Sequence, residues 1–188
     1  LFGEWKAMGL RGAMSLNVRL QNARVSAGQR VGEEGQGMRI LESHGLPVVL
    51  AGTAAMAVGI AQAALDAARR HAQSRRYSQQ GGVLGDVPVI RGYLADMYVA
   101  VEASRALLQR AVASPQPDIR ALWAAKLASC QAAAEVTSRA LGVCGGRGYL
   151  SSAPVERHFR DSLAGPLIGP TSEWLRAWLG EYLAQTKA

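Results

Sequence analysis

Residues 46–65 form an unbroken stretch without a charged side chain. A stretch of this length and composition either crosses a lipid bilayer as a helix or lies buried at the centre of a helical bundle. Gly52, Gly59 and Gln62 dilute its hydrophobicity, and alanine outnumbers leucine and isoleucine. The helical pattern also continues through Asp66 into a group of arginines. We therefore favour a buried helix and expect no membrane span, and a membrane-associated protein is the third-ranked interpretation.

The composition favours a folded, helical chain. The 188 residues are 49% apolar, 19% charged and 6% aromatic, which excludes a disordered tail. Abundant alanine with few aromatic residues is typical of helices that pack closely. The net charge of +7 comes mostly from scattered arginines, and the dense cluster at residues 69–76 has a single aromatic neighbour, Tyr77. Nucleic-acid binding is therefore not expected.

Cysteine usage indicates a reducing compartment. Cys130 and Cys144 are the two cysteines, too few for a disulfide framework or a zinc site. The sequence does not open with a charged and then apolar leader. We expect a cytoplasmic protein in which both thiols are small core side chains.

The chain divides near residue 40. Residues 15–20 alternate apolar and polar side chains between glycine-rich turns, which predicts a short strand. From Leu46 onward the periodicity is helical, so residues 41–188 are predicted to form an antiparallel four-helix bundle. The fold class is therefore mainly α, with a short β segment in residues 1–40.

Two predicted helices have well-defined apolar faces. The first helix carries on one face Leu94, Met97, Val101, Ser104, Leu108 and Ala111. The second, capped by Asp118, carries Trp123, Leu127, Cys130, Ala134, Thr137, Leu141 and Cys144. Glycines at 145, 146 and 148 end it.

Common catalytic signatures are missing from the sequence. The histidines, His44, His71 and His158, have no metal-ligand spacing, and no P-loop or dinucleotide-binding glycine motif is found. Three features remain: the loop at 145–149, the arginine cluster and the helix start at 171–173. A helix N-terminus together with an arginine suits an anionic cofactor such as a pyrophosphate.

Seven sequence blocks in a consistent order carry a resemblance to a known family. They are residues 8–12 with the strand that follows, 31–37, 59–66, 94–97, 145–149, 154–161 and 169–173. With these blocks the chain resembles the C-terminal part of the acyl-CoA dehydrogenase family. The resemblance implies that residues 1–40 are the remnant of a middle β domain and residues 41–188 the C-terminal helical bundle. In that family the bundle forms dimers or tetramers and holds FAD between protomers.

The family's reaction needs a glutamate that removes the α-proton of an acyl thioester while hydride leaves the β-carbon for the flavin. The resemblance implies two alternative positions for this glutamate, which are occupied here by Val49 and Gly169. Leu50 stands where an arginine is often found, and Glu42 lies about two helical turns before position 49. No catalytic residue is therefore assigned within this chain.

Five residues match flavin contacts of the family: Arg75, Gly145, Gly146, Thr171 and Glu173. The resemblance implies that the arginine reaches the FAD of a neighbouring protomer, that the glycines contact its adenine half, and that the last two residues border the cofactor. Ser78 stands where an aromatic residue is usual. The implied cofactor is FAD, the implied substrate an acyl-CoA or other acyl thioester, and the implied electron acceptor an electron-transferring flavoprotein.

Two functions from different classes follow. The first is a C-terminal part or subunit of an FAD-dependent acyl-CoA dehydrogenase-like oxidoreductase, completed by its own gene or by a partner subunit in a homo- or hetero-oligomer. The second is a non-catalytic structural subunit or degenerate paralogue, which the missing glutamates at 49 and 169 favour. Acyl chain length has no readable code in the sequence.

Overall fold

The computed structural model describes residues 2–76 and 81–186, and most of them are helical. The helices are α1 (Gly37–Ile40), α2 (Leu46–Ser74), α3 (Pro88–Val112), α4 (Ile119–Cys144), α5 (Pro154–Ser162) and α6 (Ser172–Gln185). A π-helical segment, Leu41–Gly45, joins α1 to α2 without a break. The predicted bundle is confirmed, but α-helical structure begins at Gly37 rather than at Leu46.

Local signals explain where the helices start. A proline lies in the first turn of α3 and of α5, each after an extended residue, so the missing N–H removes no helical hydrogen bond. In α2 the proline, Pro47, directly follows the π-helical segment, inside a continuous helix. At the start of α4, the Asp118 carboxylate accepts the Arg120 N–H at 3.0 Å, which confirms the predicted cap. The Thr171 hydroxyl accepts the Trp174 N–H at 3.5 Å at the start of α6.

Two core clusters show the directions of the long helices. Leu50 near the start of α2, Ala111 at the end of α3 and Leu122 near the start of α4 share one cluster with Leu175 of α6. The ends of α2 and α4 meet the start of α3 in the other cluster. Helices α2 and α4 therefore run in one direction and α3 in the opposite one.

Helix α6 completes the antiparallel arrangement. The Arg120 guanidinium, at the start of α4, lies 4.4 Å from the ring centre of Tyr182 near the end of α6. The Trp123 and Trp178 rings meet at 5.6 Å. We call this end of the bundle, with Trp123 and Trp178, the tryptophan end. The opposite end, with Arg75 and Arg147, is the arginine end.

Helix α2 occupies the centre of the bundle. Within the described residues, the continuous helix Gly37–Ser74 is long and apolar enough to cross a membrane, and 44% of its most apolar window is buried inside the molecule. Its alanine face packs on α4, and Ala54, Ala61, Ala64 and Ala68 have no exposed surface. The alanine-rich composition thus allows close approach of α2 and α4.

The predicted face of α3 is confirmed, and that of α4 is confirmed in part. Cys130, Thr137 and Cys144 of α4 are buried, whereas the other predicted residues are half-buried: Trp123, Leu127, Ala134 and Leu141. Met97, Val101, Ser104 and Ala111 are buried, and Leu94 and Leu108 are half-buried. On α4 both cysteines are free and buried. Burial raises the pKa of both thiols, as expected for inert core side chains.

The N-terminal segment differs from the prediction of a strand over residues 15–20. Within the described residues it contains a single antiparallel bridge, in which the Phe2 N–H donates to the Asn17 carbonyl at 3.1 Å. Val18 and Leu20 are 65% and 77% exposed, because beyond this one bridge no described strand pairs with the segment and its apolar side is left uncovered. The assignment of residues 1–40 to a β-domain remnant stays a prediction.

Candidate functional site

Arg75 ends helix α2 at the arginine end. Its backbone leaves the helix in an extended conformation, and its carbonyl accepts the Leu84 N–H at 2.7 Å. This bond anchors the backbone, while the side chain is exposed and has no acidic partner among the described residues. The guanidinium is therefore available to an anion. Ser78, the predicted departure from the family pattern, lies outside the described residues.

The glycine loop after α4 lies at the same end. Gly145 has φ 55° and ψ −148°, a conformation that is essentially restricted to glycine. Gly145 and Gly146 are exposed, and a Cβ added at either would meet no atom within 4 Å. Gly148 is instead buried against Cys144 and Val155. The loop thus packs against the protein at Gly148. At Gly145 and Gly146 its backbone is exposed and no side chain covers it.

Positive charge links the arginine and the loop. Partial burial lowers the pKa of His71, and the nearby charges of Arg147 and Arg75 lower it further. Ala72 near the end of α2 and Cys144 at the end of α4 also share one core cluster, so Arg75 and the 145–147 loop follow helices that end at the same end of the bundle. Two guanidiniums beside open peptide groups fit a diphosphate: the arginines supply charge and the glycines allow close approach.

A second group of predicted residues lies elsewhere on the bundle. Thr171 caps α6, and the exposed Glu173 carboxylate pairs with Arg176 at 3.3 Å in the same first turn. The segment just before them is tied to α4, because Lys126 donates to the carbonyls of Ile168 and Pro170. Position 171 is therefore held at the level of Lys126.

The two groups are far apart within one chain. Lys126 and Cys144 are eighteen residues apart on α4, which at about 1.5 Å per residue is a separation of about 27 Å along the helix. Arg75, Gly145 and Gly146 lie at the arginine end, whereas Thr171 and Glu173 lie toward the tryptophan end. One chain does not bring the five predicted residues into a single compact site.

Both expected positions of the catalytic glutamate lack a carboxylate and lie toward the tryptophan end. Gly169 is exposed, and a Cβ there would meet no atom within 4 Å. Val49 is 40% exposed, and the next residue, Leu50, is fully buried in the cluster that contains Leu175. Glu42 is exposed in the π-helical segment. Two positions that are far apart in sequence thus belong to one region of the fold.

Sequence reasoning missed Lys126 and gave no separate role to Arg147. Lys126 carries a signal, because it is the one lysine between residues 7 and 186 and lies among apolar residues of α4. Arg147 was noted only as part of the glycine loop, and its proximity to His71 is a tertiary effect. In the described part of the chain, His, Cys, Asp and Glu side chains form no group of three that could hold a metal ion.

Known proteins share this architecture. Residues 35–184 match the family described as acyl-CoA dehydrogenase, C-terminal domain. The human short-chain specific acyl-CoA dehydrogenase of mitochondria is 34% identical over 182 residues, covering 95% of this chain and 43% of the human protein.

Solved structures agree with this match. Butyryl-CoA dehydrogenase from Megasphaera elsdenii superposes with a TM-score of 0.86 at 31% identity, covering 95% of this chain and 47% of that one. A prolyl acyl carrier protein oxidase gives a TM-score of 0.80 at 29% identity, covering 94% of this chain and 47% of that one. This chain spans less than half the length of each of these relatives. From its fold and its sequence, the chain belongs to the acyl-CoA dehydrogenase family and corresponds to the C-terminal helical domain of that family.

Proposed function

We propose that this chain is the C-terminal, FAD-binding part of an oxidoreductase that introduces an α,β double bond into acyl thioesters. The observation that carries the proposal is the separation of the matched flavin contacts into two groups, one at the level of Cys144 and the other at the level of Lys126, which lie about 27 Å apart along α4. Such a division suits a cofactor that lies between two protomers, with Arg75 and the 145–146 loop of one chain facing Thr171 and Glu173 of another. The protein then works as a dimer or a larger oligomer.

The chemistry divides between the cofactor and the protein. The FAD supplies the acceptor for the hydride that leaves the β-carbon, and a carboxylate must take the α-proton. In this chain, Arg75 and Arg147 would neutralise the diphosphate, and Gly145 and Gly146 would allow close approach of the nucleotide. We propose that an electron-transferring flavoprotein removes the two electrons after each turnover.

The group that carries the acyl thioester could be coenzyme A or an acyl carrier protein. One structural relative is a butyryl-CoA dehydrogenase and another is a prolyl acyl carrier protein oxidase. Both substrates present an acyl thioester, and we propose that class rather than a particular acyl chain. Purified candidate carriers, coenzyme A thioesters and carrier-protein thioesters, can be compared directly in an assay of flavin bleaching.

Flavin binding is the first test. The chain is co-expressed with its upstream coding region or with a candidate dehydrogenase-like subunit, and flavin absorbance is recorded on the purified complex. We expect bound FAD in the wild-type complex and reduced occupancy in Arg75→Gln. The matched control is Arg76→Gln, an exposed neighbouring arginine, which should keep wild-type occupancy. Absence of flavin from every such complex contradicts the proposal.

The alternative function is a non-catalytic structural subunit, and the exposed Gly169 without a carboxylate favours it. Gly169→Glu discriminates between the two functions, because the position has room for a side chain. In the flavin-containing complex, a gain of acyl-thioester oxidation indicates a pocket that lacks only its base. Gly180→Glu, which adds the same charge at an open glycine within α6, is the control. Bound flavin without any gain in Gly169→Glu or Val49→Glu favours the structural subunit.

We also propose a cytoplasmic location, supported by two free and buried thiols in a chain without disulfides among its described residues. Fractionation of cells that express a tagged chain from its own gene tests this proposal. Recovery in the soluble cytoplasmic fraction is the expected result, and recovery with membranes would contradict it.

A further inference from the structure

Lys126 is a fully buried cation of α4 with a specific pair of partners. The residue has no exposed surface. Its Nζ donates to the carbonyl oxygen of Ile168 and to that of Pro170, each at 2.5 Å. These two carbonyls lie on either side of residue 169. The side chain therefore reaches across from one helix and holds the backbone on both sides of a single position.

No other described donor bonds to these two carbonyls. A buried amine without acceptors is costly, and Lys126 is fully buried. The carbonyls belong to half-buried residues, Ile168 and Pro170, and Lys126 is the donor that the described chain offers them. Burial lowers the pKa of Lys126, in line with the desolvation of its amine.

The lysine belongs to a stripe of residues on α4 that contacts α6 and the connection between α5 and α6. Trp123, Lys126 and Cys130 follow one another at helical spacings of three and four. The Cys130 sulfur lies 3.0 Å from the place where a Cβ on Gly165 would stand. Trp123 contacts Trp178 of α6 at the other end of the stripe. Within this stripe, Lys126 is the residue that bonds to the backbone rather than packing against it.

We propose that Lys126 is a positioning residue that sets the place and direction of residue 169 relative to α4. Its bearing on catalysis rests on the proposed function, in which position 169 is one of the two sites for the catalytic base. A carboxylate introduced at 169 would project from a backbone that Lys126 holds, and a mobile backbone would lose the required alignment with the α-carbon. A leucine or methionine at 126 would fill the same volume but would leave both carbonyls without a donor.

The first experiment measures local opening and does not depend on flavin. Amide hydrogen exchange is followed at Leu167 and Ile168, whose N–H groups donate to the Ala164 carbonyl at 3.0 and 3.1 Å. Lys126→Met should speed exchange at these amides by about tenfold or more. The control is Val136→Ala, which removes a buried methyl pair of α4 in the other core cluster. It should leave the ratio of exchange at 167–168 to exchange in α2 unchanged.

Conservative variants test whether the effect depends on the hydrogen bonds that Lys126 donates. Lys126→Arg and Lys126→Gln keep at least one donor, so they should restore part of the protection that Lys126→Met loses. If Lys126→Met does not fold, the comparison of these two variants with the wild type decides the question. Equal acceleration throughout the bundle, or no acceleration at 167–168, would overturn the proposal.

The second experiment tests whether Lys126 affects the rate of oxidation by a carboxylate placed at position 169. In the flavin-containing Gly169→Glu complex, adding Lys126→Met should lower kcat at least tenfold with little change in KM, and Lys126→Arg should recover part of it. An inactive Gly169→Glu complex counts against the proposed function alone, because the exchange experiment still decides the role of Lys126. If the Gly169→Glu complex is active and Lys126→Met leaves its kcat unchanged, the positioning role is overturned.

Discussion

Arg160 of α5 donates from Nη1 to the carbonyl oxygen of Met8 at 2.6 Å, across 152 residues of sequence. The same guanidinium holds Glu156 through Nε and Nη2 at 2.7 and 2.9 Å. Two residues further along the N-terminal segment, the Leu10 N–H donates to the Asp161 carboxylate at 2.7 Å. Two side chains of helix α5 therefore bind the backbone of the segment that precedes the bundle. Two of the blocks that carry the family resemblance, residues 8–12 and 154–161, are thus in direct contact.

This contact leaves no room for a side chain at Gly9. A Cβ there would lie 2.2 Å from the Arg160 carbonyl oxygen and 2.5 Å from its carbonyl carbon, and helix backbone cannot move aside cheaply. We expect Gly9→Ala to weaken the docking of the segment by about 1–3 kcal/mol. The measurement is hydrogen exchange at the Leu10 amide, which should lose its protection while α2 and α4 keep theirs.

Gly12→Ala is the control for Gly9→Ala, because a Cβ on Gly12 would meet no atom within 4 Å. It should leave exchange at Leu10 as in the wild type. Equal effects of the two substitutions would show that the segment is not held by the backbone contact between Gly9 and Arg160.

The loop after α4 depends on one backbone conformation. Gly145 has φ 55° and ψ −148°, which a side chain makes unfavourable by about 1–3 kcal/mol. We expect Gly145→Ala to lower the free energy of unfolding by that amount in urea titrations. Gly146→Ala, at an exposed glycine without a positive φ, should be nearly neutral for stability. A loss as large in Gly146→Ala would contradict the assignment of the strain to Gly145.

Two histidines make stability depend on pH in a defined direction. The pKa values of His71 and His158 are lowered from the ordinary 6.5, mainly by burial and then by nearby arginines. Below 6.5 the unfolded chain therefore takes up protons more readily than the folded one. Stability is complete above this value and declines as the pH falls from 6.5 through the folded pKa values.

The measurement is the urea midpoint between about pH 7.5 and pH 5.5. The double variant His71→Gln and His158→Gln should show a flatter decline than the wild type. His44→Gln, at an exposed histidine, should decline like the wild type. A wild-type midpoint that rises as the pH falls over this window would reverse the sign and contradict the lowered pKa values.

Sequence periodicity predicts which face of a helix is buried, because residues three and four positions apart lie on the same face. Met97, Val101 and Ser104 of α3 were placed on the buried face in this way, and the structure buries all three. The cap at Asp118 was equally local and was equally predictable. Such features need only neighbouring residues in the sequence.

Tertiary relationships were not predictable from spacing. The strand over residues 15–20 needs a neighbouring strand, but the described chain supplies only the single bridge between Phe2 and Asn17, so alternation alone gave the wrong structure there. The role of Lys126 depends on two carbonyls that lie 42 and 44 residues away, and backbone carbonyls have no sequence signature. The helical start at Gly37 was missed because glycines there were interpreted as turn residues.

Leu50 and Val49 provide a last test of how the site region is built. Leu50 is fully buried with Leu122 and Leu175, whereas Val49 is 40% exposed. Leu50→Ala should cost about 2–5 kcal/mol because it leaves a cavity in this cluster. Val49→Ala should stay within about 0.5 kcal/mol.

Leu50→Arg, which restores the residue common in the family, should destabilise the chain more than Leu50→Ala does. It would place a guanidinium in an apolar cluster without a described acidic partner. Urea unfolding of the three Leu50 and Val49 variants at one pH measures the order. If Leu50→Arg is as stable as the wild type, the arginine has a route to solvent or to a partner, and the cluster around Leu175 is more open than its full burial indicates. A stable Leu50→Arg chain would then be the better background for Val49→Glu in the search for oxidation activity.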